Sequence, residues 1–163
     1  MEVICKEYNK LEHLNTKVAR VALTYGPGAL LDDERVLQEF IFKSHNDSEI
    51  KMLDEGFSIR KYLYITDSIE ILLNIILNGK KFVYNVGGDT EAVSIYDLAS
   101  IIAEQMQVKV IKGSTTNKTH KSAPKSVGLS MKRYQTEFRK NKNIDLKTGI
   151  QKTIEWFNLR GKK

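Results

Sequence analysis

Apolar positions recur at helical spacing over Glu2–Asn15, where Val3, Ile4, Tyr8, Leu11 and Leu14 share one face. This predicts a helix, and the chain begins inside it without a capping residue. Val18 to Thr24 follows as a nearly continuous apolar run. Continuous rather than alternating apolarity predicts a strand covered on both faces, as in a parallel sheet between helices. Tyr25-Gly26-Pro27-Gly28 reads as a turn, and Asp33–Ser44 as a helix with Val36, Leu37, Phe40 and Ile41 on one side. Asn46-Asp47-Ser48 breaks that helix, and Glu49–Leu53 is a short strand. The run Tyr62–Thr66 is rich in aromatic and β-branched residues and predicts another strand. Asp67 with Glu70 predicts a capping box opening a helix to Asn78, with Gly79 as its closing glycine. Phe82–Val86 reads as a buried strand ended by Gly87-Gly88. Ser94 and Asp97 predict the cap of a helix over Ile95–Met106, and Val108–Ile111 a short strand. Gly113–Gly128 lacks periodicity and reads as a loop. Helical spacing returns at Ser130–Phe138 and at Asp145–Leu159, where Leu146, Ile150, Ile154 and Phe157 share a face. Helices and strands interleave, which is the α/β class.

Composition changes this picture little. The 163 residues suit one domain with a real core, and the apolar and charged shares are those of a globular chain. Cys5 alone excludes an internal disulfide framework, fits a reducing compartment, and reads as a buried structural thiol. The apolar run from Ile69 to Leu77 is too short to span a membrane, and the first residues carry no secretion pattern, so a soluble, cytoplasmic chain is expected. His13, His45 and His120 have no ligand-like spacing, which argues against a metal site.

Charge is uneven. The net charge is +6, and between Gln107 and Lys142 ten cations face one acid, Glu137. Such a segment suits an anionic partner. It carries no zinc-finger spacing and no aromatic RNA-binding motif, so nucleic acid is the least favoured partner. Arg60 stands apart, because it precedes the aromatic strand and offers a planar fork suited to a phosphate or carboxylate.

The order and spacing of several pieces carry more than any one of them. These are Arg20 before Tyr25-Gly26-Pro27-Gly28; Arg35-Val36 with Phe40-Ile41; Gly56 with Arg60, Tyr64, Ile65 and Asp67; Tyr84-Asn85-Val86-Gly87-Gly88; Val93-Ser94-Ile95 with Leu98-Ala99; Pro124; and Gly149-Ile150 with Trp156-Phe157. In this the chain resembles the extended short-chain dehydrogenase/reductases that epimerise, dehydrate or decarboxylate nucleotide sugars with NAD, and the resemblance is to their C-terminal half. It implies the C-terminal substrate-binding part of an extended Rossmann-type enzyme, with a remnant parallel sheet and the N-terminal dinucleotide-binding half missing. Residues 1–28 would be a remnant helix and strand of the Rossmann half. Residues 29–163 would be the substrate region, with strand 82–86 returning to the remnant sheet beside Val18–Thr24.

The resemblance also assigns roles. Arg60 would contact the nucleotide diphosphate, Val36 and Phe40 would line the base pocket, and Lys125 would face the phosphates. The implied ligand is a UDP- or dTDP-linked sugar. Implied partners are another copy of the chain or a complementing N-terminal half. Where the family reads Arg-Pro-x-Asn, this chain has Arg20-Val21-Ala22-Leu23, and Leu23 supplies no side-chain hydrogen bond. A later acidic position is Ser130. No tyrosine has a lysine four residues on, and no glycine-rich fingerprint is present. Hydride chemistry is therefore not expected from this chain, nor NAD binding by it alone. A non-catalytic regulatory or partner-binding module of the same descent is the second reading.

Overall fold

The computed structural model describes residues 1–11, 14–30, 33–88, 91–113, 126–139 and 143–160. Its elements run α1 (Glu2–Leu11), β1 (Val18–Val21), β2 (Leu23–Tyr25), α2 (Val36–Asp47), β3 (Glu49–Lys51), β4 (Ile59–Arg60), β5 (Tyr62–Tyr64) and α3 (Ile65–Asn78). After these come β6 (Val83–Val86), β7 (Val93–Ser94), α4 (Ile95–Met106), β8 (Lys109–Ile111), β9 (Ser126–Val127), α5 (Lys132–Glu137) and α6 (Leu146–Arg160).

The expected strand over 18–24 is one extended run with two partners. β1 pairs in parallel with β6, from Val18 opposite Val83 to Val21 opposite Val86. Past Ala22, whose N–H donates to Val86 O at 2.8 Å, β2 pairs in parallel with β5. The run is not covered on both faces. Val21 and Leu23 are 48% and 40% exposed, because they face an open cavity rather than a helix. The parallel neighbour expected at 82–86 is present.

Two apolar clusters hold these strands. One gathers Tyr25, Phe40, Ile50, Leu98, Ile102, Ile150 and Phe157, from α2, α4, α6 and the strands between them. The other gathers Leu63, Ile71, Ile75, Tyr84, Val86 and Tyr134, where α3 and α5 cover β6. β3 and β8 form a separate parallel pair, and β7-β4-β9 a small mixed sheet.

Some local expectations give way to longer-range ones. α2 starts at Val36 and continues through Asn46 and Asp47, ending where Ser48 turns left-handed at φ 56°. The aromatic strand stops at Tyr64, and α3 already begins at Ile65 with no side-chain cap. Asp67 is therefore not a cap. It is buried in the first turn and accepts the Ile144 N–H at 2.9 Å, tying α3 to the entry of α6. Gly79 closes α3 with extended backbone, φ −65° and ψ 128°, rather than a left-handed turn. It is needed for space, since a Cβ there would lie 2.5 Å from Ile75 O. The Ser94 cap forms as expected, its Oγ accepting Asp97 N–H at 2.9 Å.

α1 buries none of its residues. It is held to β1 by a two-bond pair from Arg20 Nε and Nη2 to Glu2, at 2.7 and 2.8 Å. Cys5, expected in a core, is only half-buried there. Val3, Ile4, Tyr8 and Leu11 are exposed. No helix of the described residues is long and apolar enough to cross a membrane.

Candidate functional site

Arg60 lies in β4, the middle strand of its sheet. Its backbone is fixed on one side opposite Val93 and on the other opposite Val127. The side chain is half-buried, and Nη1 donates to Ile59 O at 2.8 Å. It stands on the wall of a cavity of about 410 Å³ that Val36 and Phe40 also line, a volume within the small-molecule range. Three of the four residues singled out from the sequence thus meet in one place, though Arg60 lies 20 to 24 positions after the other two in the chain. Lys125 lies outside the described residues.

The local reasons are legible. Phe40 is 5% exposed and belongs to the core-facing stripe of α2, whereas Val36, at the helix start, is 37% exposed and forms part of the rim. The loop carrying Asp54, Gly56 and Ser58 is pinned at several points. Asp54 accepts the Gly56 N–H at 2.8 Å, Gly56 takes a left-handed φ of 73°, and Ser58 O accepts Ile95 N–H at 3.0 Å. Tyr25 and Tyr62 close the floor, their rings edge-to-face at 6.0 Å. Burial pushes the Tyr62 phenol up to about 12, despite the opposing pull of Arg60. Burial, with Tyr64 and the carboxylates of Asp145 and Asp67, drives Tyr25 up as well. Both phenols are neutral donors at physiological pH.

A second cavity of about 440 Å³ adjoins the first and shares Leu23, Thr24 and Arg35 with it. It opens at the C-terminal ends of β1 and β6, beside Ala22, Gly87 and Gly88, where α/β sheets commonly hold ligands. Arg35 forms the saddle between the two. Its Nε lies 2.9 Å from Asp33 Oδ1 and its Nη1 3.3 Å from Thr24 O. The guanidinium holds the Asp33 carboxyl below its ordinary range. Sequence reasoning named Arg35 only as part of a motif and passed over Lys61, which lines the second cavity. Strand alternation was the available signal: neighbours on an extended strand point to opposite sides, so the residue after Arg60 faces the other compartment.

The glycines do not make a dinucleotide cradle among the described residues. A Cβ on Gly26 would meet Ile65 Cγ2 at 2.5 Å, so that glycine serves packing. Among the described residues, neither Gly28 nor Gly87-Gly88 adjoins a helix: α2 begins at Val36, and the next element after Gly88 is β7. These glycines therefore offer, among the described residues, no helix N-terminus to a dinucleotide's pyrophosphate. No group of three or more His, Cys, Asp or Glu among the described residues is placed to hold a metal.

An α/β fold with a two-part trough at its strand ends defines the class. The sequence profile of the NAD dependent epimerase/dehydratase family matches residues 1–87, and the chain belongs to that family. It is similar to UDP-glucuronic acid decarboxylase 1 of Arabidopsis thaliana, 23% identical over 162 residues, which are 98% of this chain and 36% of that protein. In fold it resembles UDP-glucose 4-epimerase of Thermotoga maritima, solved with UDP-glucose, at TM-score 0.82 and 19% identity, covering 98% of this chain and 51% of that one. It also resembles UDP-glucuronic acid 4-epimerase of Bacillus cereus, solved with UDP-glucuronic acid and NAD, at TM-score 0.76 and 21% identity over 98% and 50% of the two chains. The chain therefore spans about a third of the curated relative and about half of the solved structures.

Proposed function

We propose that this chain is the sugar-nucleotide-binding, C-terminal portion of an NAD-dependent nucleotide-sugar epimerase, dehydratase or decarboxylase, inactive alone. In this reading residues 1–28 and strand 82–86 belong with the dinucleotide-binding half, and 29–163 with the substrate. One observation carries the reading: Arg60, Val36 and Phe40 line a single cavity. There a guanidinium fork suits a diphosphate and an aromatic edge suits a base. Lys125 would add a point charge at the phosphates. The exposed apolar face of α1 suits another copy of the chain or a complementing dinucleotide-binding half.

Calorimetry with UDP- and dTDP-sugars tests the site. Arg60→Ala should weaken binding about tenfold or more, the scale of a lost charge-assisted hydrogen bond. Unchanged affinity would leave Arg60 as scaffold and overturn the assignment. Tight NAD binding by this chain alone would overturn the division of labour. Turnover is expected only when a dinucleotide-binding half is added.

The second reading, a non-catalytic regulatory module, is favoured by the same lack of a Tyr-x-x-x-Lys pair. It predicts nucleotide binding with no activity on adding that half.

A further inference from the structure

The two cavities differ in what their walls can offer a ligand. At the Arg60 cavity acids stand among the cations, with Glu34, Glu39 and Asp54 beside Arg35, Lys51 and Arg60. The strand-end cavity has no acid among its described walls. Val21, Ala22, Leu23 and Leu129, with Gly87 and Gly88, make up most of it, and Arg35 and Lys61 are its two cations.

The polar groups around this recess are largely in use. Ala22 N–H donates to Val86 O at 2.8 Å, and Gly87 N–H meets Met131 Sδ at 3.0 Å. The Thr24 hydroxyl donates to Ala22 O at 3.2 Å, and Thr24 O accepts from Arg35 Nη1 at 3.3 Å. Asp33 engages Arg35 through Nε and Nη2. Among the described residues, no carboxylate forms a salt bridge with Lys61. An added Cβ on Gly128 would lie 3.6 Å from Lys61 Cδ, so the lysine stem joins the apolar wall and the ammonium is its charged end. A group rich in hydroxyls would give up water here for few partners. An apolar group would gain from each carbon it covers, and an anionic end would gain Lys61. The volume, about 440 Å³, is in the small-molecule range.

We infer that the strand-end cavity binds a small amphiphilic anion, an alkyl or aryl group that lies on Val21, Leu23 and Leu129 and carries one anionic end to Lys61. This site is separate from the nucleotide reading, which concerns the Arg60 cavity, and does not depend on it.

Calorimetry with ethyl, butyl and hexyl phosphate tests it on the whole chain, as wild type, Lys61→Met, Lys61→Arg, Leu23→Asn and Leu73→Asn. In wild type the affinity should rise about tenfold from ethyl to butyl phosphate, near the worth of two buried methylenes, and further to hexyl phosphate. Lys61→Met keeps the stem, and should weaken every member about tenfold while the rise with chain length stays. Lys61→Arg should keep the affinity, since a point charge suffices for one anionic end. Leu23→Asn should cut the rise to about threefold or less. Leu73 is an apolar residue exposed on α3, outside the cavity, and Leu73→Asn should change nothing. Equal affinity across the series, or no binding of any member, overturns the inference. So does a rise that Leu73→Asn flattens and Leu23→Asn leaves intact, which would put the alkyl group on the exposed helix faces. Wild-type affinity in Lys61→Met overturns it as well, because the anion would then lie elsewhere. The nucleotide site stands or falls separately, on the Arg60→Ala comparison above.

Discussion

Gly149 shows how far a single residue's role can lie from its local pattern. In the interior of α6 a glycine costs about 1 kcal/mol of helix stability relative to alanine. A Cβ at this position would lie 2.1 Å from the Tyr25 hydroxyl and 2.9 Å from Tyr64 Cδ2. Tyr25 has nowhere to retreat, being 3% exposed and held edge-to-face against both Tyr62 and Tyr64. Overpacking of about 1–3 kcal/mol outweighs the propensity gain. Gly149→Ala should therefore lower stability by about 1–2 kcal/mol in urea unfolding. Tyr25→Phe in that background should recover part of the loss, and a merely additive pair would refute the contact. The family motif marked Gly149, but the local sequence offered no physical reason for a glycine in a helix, because the atom it accommodates comes from a residue 124 positions earlier. Arg60 was conspicuous as an arginine beside an aromatic strand, but the local sequence did not show that its wall is shared with Val36 and Phe40.

At the scale of elements, what was legible is what is closed by neighbours in the chain. The Ser94 cap uses Asp97, three residues on, and both the cap and α4 are where the sequence put them. Asp67 misled because the same spacing, with Glu70, is a capping pattern, while its carboxylate is used 77 positions away at Ile144. Asp67→Ala should leave a partly buried N–H unpaired and cost about 1–3 kcal/mol, whereas Asp67→Asn keeps an acceptor and should cost less. Chemical denaturation of the two variants checks this, and equal losses would argue against the bond to Ile144. The split of 18–25 into two ladders was illegible for a related reason. Val21 and Leu23 read as core by apolarity, yet they line a cavity, and hydrophobic patterning does not separate a core wall from a ligand wall.

The whole molecule carries buried phenols on the cavity floor, and these set its alkaline limit. An exposed phenol titrates near 10, and Tyr62 is held up to about 12 by burial; Tyr25 is raised as well. Their folded values lie above their unfolded ones, so the unfolded chain releases protons first. The stability they contribute is fully present below about pH 10 and is lost as pH rises towards the folded values. Unfolding free energy should fall above about pH 10 by roughly 1.4 kcal/mol per pH unit for each such group. Tyr62→Phe should flatten that fall, as read from denaturant midpoints between about pH 9 and 12. An unchanged slope would mean that the ring is open to hydroxide in the folded state.

The run from Val18 to Tyr25 bonds first to β6, which belongs to the cluster around Tyr84, and then to β5 beside the cluster around Tyr25. It works as a seam between two small cores, one built mainly on α2, α4 and α6 and the other on α3 and α5. Undoing either ladder pulls on the other through Ala22, so slow amide protons on both sides should trade for deuterium in one event. Matched exchange free energies are expected for the Val18 and Ala22 amides, which donate to Phe82 O and Val86 O, and for the amides that β2 donates to β5. Two well-separated levels would show that the cores open independently.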